Sequence, residues 1–146
     1  MALAKEIYKE FENIVGKRNI SEDAGVLESY RCIAQQSSAH YGPYVGHMTP
    51  LPQAVILPAS TDEVQQIVKL ANRNHTPLVP VSSGPPHFNG DTVPSVSEAV
   101  IVDLSGMKKI IKIDRRNKIV IVEPGVTYAE LQPALLALAA RHYQLG

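Results

Sequence analysis

The residues whose types could do chemistry are concentrated in one stretch, 77–90, which reads PLVPVSSGPPHFNG. Leu78-Val79-Pro80-Val81 is an uncharged apolar run, fit for a short buried strand. It empties into Ser82-Ser83-Gly84, then the Pro85-Pro86 pair, then His87-Phe88-Asn89-Gly90. Small, polar and glycine residues after a strand let backbone N–H groups converge on an anion in a concave nest. The chemistry this would serve is reception of a nucleotide cofactor's phosphates. The two prolines stiffen the loop and contribute no donors. An ordinary surface connection accounts for the same residues, because a glycine-bearing loop has little specificity by itself.

A second group, His40, Tyr41, Tyr44 and His47, sits in the aperiodic segment 31–49. No ligand spacing supports a metal site there, and side chains draped over a neighbouring surface are the favoured reading. Cys32 is the single cysteine, so no internal disulfide forms, and no CxxC pair points to zinc or redox chemistry. The sequence nominates no catalytic residue and no metal ligand.

The elements that must hold the loop are readable around it. Residues 2–15 carry Ile7, Phe11, Ile14 and Val15 on one helical stripe, stopped by Gly16. Ser21-Glu22-Asp23 opens a short helix through Val26 and Leu27 to about Tyr30. Ala54-Val55-Ile56-Leu57 is a buried-strand pattern, and Ser60 with Glu63 forms a capping box that starts a helix over about 62–74. Strand, helix and the strand 78–81 make a βαβ unit with parallel strands. Residues 99–103 give another strand, 104–107 a turn. Ile110 to Glu123 then form an antiparallel hairpin around the turn Asp114-Arg115-Arg116-Asn117. Thr127 and Glu130 make a second capping box, opening a helix from Tyr128 to about His142 with Leu131, Leu135, Leu138 and Ala139 on one side.

Composition bounds the function classes. The chain has 146 residues, 45% hydrophobic and 19% charged, enough for one folded domain. Fourteen basic and fourteen acidic residues cancel, which argues against nucleic acid as the main partner. No apolar run approaches the roughly 20 residues of a membrane span, and the N-terminus lacks a secretion-signal layout. A soluble, cytoplasmic protein without membrane insertion is expected.

In order and spacing, several pieces resemble one family. They are Pro52-Gln53-Ala54-Val55-Ile56-Leu57-Pro58, Ser60-Thr61-Asp62-Glu63-Val64, Pro77-Leu78-Val79-Pro80 with the loop to Gly90, Val100-Ile101-Val102-Asp103-Leu104-Ser105-Gly106-Met107, and Val122-Glu123-Pro124-Gly125-Val126-Thr127-Tyr128-Ala129-Glu130-Leu131. Over 52–146 the chain resembles the N-terminal half of the FAD-binding domain of the vanillyl-alcohol oxidase and p-cresol methylhydroxylase (PCMH-type) flavoproteins. The loop and the EPGVTY turn are most similar to the branch that oxidises para-substituted phenols.

The resemblance implies an α+β fold, a small mixed sheet of βαβ unit plus hairpin with flanking helices. Residues 1–49 would be an N-terminal helical extension and loop, and 50–146 the first half of the domain. FAD would be the cofactor, lined by Val81, Ser82, Ser83, Gly84, Pro85, Pro86 and His87, with Asn89 and Gly90 near it. Pro124, Gly125 and Val126 would pack beside the same loop. Relatives carry donor-bearing residues where Pro85 and Pro86 stand. In some relatives a loop histidine holds FAD covalently; His87 falls one position past it, so non-covalent FAD is expected.

The family continues into a second half and a substrate domain, which lie past Gly146. The expectation is therefore a fragment or split subunit of a flavin-dependent oxidoreductase acting on a phenolic alcohol or 2-hydroxy acid, not competent alone. An apolar face should be exposed, calling for a second polypeptide that completes the site or for self-association. The alternative is a binding or assembly module that keeps the fold without flavin chemistry.

Overall fold

Amphipathic spacing makes the first element. In the computed structural model, which describes residues 3–30, 50–82, 94 and 96–143, helix α1 spans Lys5–Val15 and buries Phe11 and Val15. Ile7 and Ile14 of the same stripe pack half-buried against that cluster. The helix starts three residues later than the sequence expectation, with Ala4 at its N-cap. Gly16 ends it at a φ of 83°, a conformation that a Cβ would strain. The Asn19 side-chain amide donates to the Val15 carbonyl at 2.8 Å, satisfying one of the helix's last acceptors.

A 3₁₀ turn, Lys17–Asn19, leads into the short strand β1, Ile20–Ser21. Asp23 then caps α2, Ala24–Ser29, accepting from the Gly25 and Val26 amides. Strands β2 (Ala54–Ile56), β3 (Leu78–Val81) and β4 (Val100–Asp103) are mutually parallel, while β1 runs antiparallel to β2. The sheet order is β1-β2-β4-β3. Helix α3, Thr61–Asn74, joins β2 to β3 as the sequence indicates, yet the two strands are not neighbours. Strand β4 lies between them, with Ile101 opposite both Val55 and Val79. Every residue of β4 is buried, and a parallel strand covered on both faces belongs in the middle.

The α3 cap differs from the expected box in one bond. Ser60 Oγ accepts the Glu63 amide at 3.2 Å, but Glu63 Oε2 takes the amide of Ala59, at 2.8 Å, rather than that of Ser60. His75 closes the helix in the left-handed region, φ 52°, and Thr76 N–H donates back to the Ala71 carbonyl at 2.9 Å.

Strand alternation divides the core in two. Ala54, Ile56, Val100 and Val102 face α1 and α3, meeting Phe11, Val15, Ile67, Leu70 and Ala71. Val55, Ile101, Val81 and Val79 face the other way, against Val26, Leu27 and Tyr30 from the α2 region. The segment expected as an N-terminal extension thus supplies a strand and two helices to the same sheet and core.

The second sheet stands apart. It is a two-stranded hairpin of β5, Ile110–Asp114, and β6, Ile119–Val122, with a bulge at Ile111. Asp114 accepts both the backbone and side-chain amides of Asn117 in the turn, at 3.0 and 3.1 Å. Ile111, Ile119 and Ile121 are 62%, 53% and 47% exposed, an apolar surface with no cover among the described residues. Helix α4, Tyr128–Tyr143, follows, with Leu135 and Leu136 also exposed.

Phe11, with no exposed surface, ties α1 to this core. Phe11→Ala should destabilise the fold by about 3–5 kcal/mol, whereas Ile111→Ala, on the exposed bulge, should stay within about 0.5 kcal/mol. Urea midpoints at unchanged slope read the difference.

Candidate functional site

Open parallel sheets place ligands beyond the carboxyl ends of their strands. Here β2, β3 and β4 end together, and at that edge Val81 stands opposite Asp103 in register. Val81 is buried, and its carbonyl accepts the Leu104 amide at 2.7 Å. Ser82 is exposed, so the expected cofactor loop leaves the sheet there. Of the expected site residues, Val81, Ser82, Pro124, Gly125 and Val126 lie among the described residues. Ser83, Gly84, Pro85, Pro86, His87, Asn89 and Gly90 lie outside them, as do Cys32, His40, Tyr41, Tyr44 and His47.

The turn after β4 connects the two expected cofactor segments. Met107 N–H donates to the Leu104 carbonyl at 2.9 Å, closing the turn, and Gly125 N–H donates to the Met107 carbonyl at 2.9 Å. Gly125 is pressed against this turn. A Cβ there would lie 2.6 Å from the carbonyl oxygens of Leu104 and Ser105 and 2.8 Å from that of Met107. Only glycine permits so close a backbone approach. Glu123 anchors the neighbouring chain, its amide donating to the Lys109 carbonyl at 2.9 Å and its carboxylate accepting the Lys109 amide at 2.7 Å. The structure therefore joins Val81 to the Pro124-Gly125-Val126 turn through residues 104–107.

Sequence reasoning missed Asp103 and Tyr30. Asp103 is 1% exposed and is the buried charged side chain of the described core. Its Oδ1 accepts the Ser105 amide at 2.8 Å, and its Oδ2 accepts the Tyr30 hydroxyl. Burial, then the adjoining Asp103 carboxylate, raise the Tyr30 hydroxyl pKa well above its ordinary value. One signal was available: an aliphatic strand ending in Asp before Leu-Ser-Gly is a local side-chain-to-backbone turn. Nothing near Tyr30 marked it as the partner.

Anionic phosphates require donors and the absence of competing negative charge. The edge fits: Asp103 is buried and already occupied by two donors, while Ser82 brings a hydroxyl to the surface. Past the turn, the second capping box forms as expected. Thr127 Oγ1 accepts the Glu130 amide at 3.3 Å, and Glu130 Oε2 accepts the Thr127 amide at 2.9 Å. Lys108 Nζ lies 2.7 Å from Glu130 Oε1. That ammonium first, then the Thr127 hydrogen bonds, lower the Glu130 pKa to about 2.

An open groove of about 610 Å³ between α1 and α3, lined by Glu10, Asn13, Ile14, Gln66, Lys69, Leu70 and Arg73, contains none of the expected site residues. Among the described residues no His, Cys, Asp or Glu group is arranged to hold a metal ion, and no helix is long and apolar enough to cross a membrane.

Comparison with known proteins identifies the family and the fold. A family profile described as the FAD binding domain matches residues 52–145. The flavoprotein subunit of 4-cresol dehydrogenase [hydroxylating] from Pseudomonas putida is 30% identical over 125 residues, 84% of this chain and 22% of that protein. D-2-hydroxyglutarate dehydrogenase from Stutzerimonas stutzeri is 31% identical over 99 residues, 68% of this chain and 21% of that one. The crystal structure of p-cresol methylhydroxylase with substrate bound superposes with a TM-score of 0.76 at 27% identity, over 92% of this chain and 24% of that chain. The chain spans about a fifth of the length of the curated relatives it matches. It belongs to the FAD binding domain family, in its PCMH-type form, and FAD is the cofactor of that domain.

Two measurements check the local geometry. Gly125→Ala should destabilise by at least about 1–3 kcal/mol, because three backbone carbonyls would have to move. Gly106→Ala, with nothing within 4 Å of the new methyl, should be near neutral in the same denaturation series. On acidification, the Glu130 contribution is fully present above its ordinary value of 4.5 and lost as pH falls through about 2. Far-ultraviolet circular dichroism should show part of the α4 helix signal lost over that interval, and Glu130→Gln should lack that part.

Proposed function

We propose that this chain, as a member of the FAD binding domain family, supplies the first half of the FAD site of a flavin-dependent oxidoreductase, through residues 50–146. The carrying observation is the meeting of two segments at one place. The exit of β3 at Val81 and the Gly125 turn both bond to the backbone turn 104–107, at the carboxyl ends of the parallel strands. Val81 fixes where the loop begins, and Ser82, Ser83 and Gly84 let its backbone approach the pyrophosphate. Pro124, Gly125 and Val126 hold the opposite shoulder. When bound, FAD supplies the acceptor for a hydride from substrate. The chain's own residues bind and orient it, and none of them is assigned as catalytic.

The names of the relatives favour a phenolic alcohol or a 2-hydroxy acid as the substrate class. FAD is held non-covalently, with His87 one position beyond the histidine that bonds flavin in some relatives. A second polypeptide, or self-association, covers the exposed isoleucines of the hairpin and completes the site, in the cytoplasm. A second reading, a binding module without flavin chemistry, is favoured by one observation: Pro85 and Pro86 remove two amide donors from the loop.

Titration of the purified chain with FAD, followed by flavin fluorescence, alongside native mass measurement, separates these readings. The expected result is saturable binding in an assembly heavier than the 15.9 kDa chain, and a colourless pellet after acid precipitation. A 15.9 kDa monomer that takes up no FAD, even with the completing polypeptide supplied, selects the non-catalytic module.

A further inference from the structure

A buried carboxylate in an apolar neighbourhood asks for a reason. Asp103 lies at the end of β4 beside Val81, on the sheet face that carries Val55, Ile101 and Tyr30. A well-packed apolar residue in place of a buried charge is often neutral or stabilising, so burial by itself is no reason for a carboxylate here. What the carboxylate adds is direction. One oxygen fixes the Ser105 amide at 2.8 Å and the other takes the Tyr30 hydroxyl, so its orientation is set from two sides.

The Ser105 bond holds the turn whose Leu104 amide grips the Val81 carbonyl at 2.7 Å. The carbonyls of the same turn leave no room for a Cβ on Gly125. Both cofactor segments therefore inherit their placement from one buried side chain. Tyr30 is the C-cap residue of α2, so the hydrogen bond also pins the end of that helix to this edge.

We propose that Tyr30 and Asp103 are a positioning pair for the cofactor site, aligning the β3 exit and the Gly125 turn through the backbone of residues 104–107 without touching FAD. The inference rests on the FAD reading given above. It predicts that loosening the pair weakens cofactor binding beyond any loss of folded protein.

The test measures FAD affinity of the wild-type chain in its native assembly and of Tyr30→Phe, Asp103→Asn and the double variant. Each affinity is corrected for the folded fraction from urea unfolding. Tyr30→Phe should weaken FAD binding by about tenfold, the scale of one lost hydrogen bond to a charged group, and should blur the vibronic structure of the bound flavin's visible band. Asp103→Asn, whose carboxamide oxygen still accepts the Ser105 amide, should lose less. The double variant should be no weaker than the weaker single one, since both act through one contact. A lower urea midpoint with unchanged affinity and an unchanged flavin band would assign the pair to stability alone and overturn the proposal. If Tyr30→Phe does not fold, equal affinity and an identical flavin band for Asp103→Asn and wild type overturn it instead. Failure of the wild-type assembly itself to bind FAD is a different result, which removes the FAD reading and this inference together.

Discussion

The structure depends on a buried parallel strand. Strand β4 reads Val100-Ile101-Val102-Asp103, and each of its residues is enclosed. A parallel pair bonds slightly less strongly per residue than an antiparallel one and is stable chiefly when both faces are covered. Here α1 and α3 cover one face and the α2 region the other. Remove either cover and the strand that separates β2 from β3 loses the environment that selects it. The carboxyl edge, where Val81 and Asp103 end side by side, exists because that strand is central. The geometry of this edge is thus a product of core burial.

Much of this was legible because the local signals are strong and agree with one another. Ser60 and Asp23 cap helices as their side chains allow, Gly16 stops the first helix, and Asp114 with Asn117 folds the hairpin turn. Each is decided within a few residues by hydrogen-bond chemistry, so sequence spacing suffices. The family resemblance over 52–146 extended that reading to a fold and a cofactor. Matching motifs could do so because Gly125 must be glycine wherever this turn is pressed against three carbonyls.

The parts that escaped are long-range. No rule of spacing places β4 between strands that a helix joins, since the choice is made by comparing burial of whole strands. Tyr30 and Asp103 are separated by 73 positions, and neither the tyrosine nor the aspartate carries a sign of the other. The N-terminal residues read as an extension because they precede the family's matched span. Their Ile20 nevertheless pairs with Ile56, and their Phe11 sits in the centre of the core. Residues 83–90, the rest of the loop, take their roles from the resemblance alone.

The hairpin has a colloidal consequence. Its isoleucines face solvent on a chain whose fourteen positive and fourteen negative side chains sum to zero at neutral pH. Two such molecules approaching one another meet almost no net Coulomb barrier, and the apolar attraction between hairpins acts unopposed. Added salt has little repulsion left to screen, so ionic strength is a weak lever on how such molecules approach. Solubility then becomes a report on whether that surface is covered, available by light scattering before any cofactor is added.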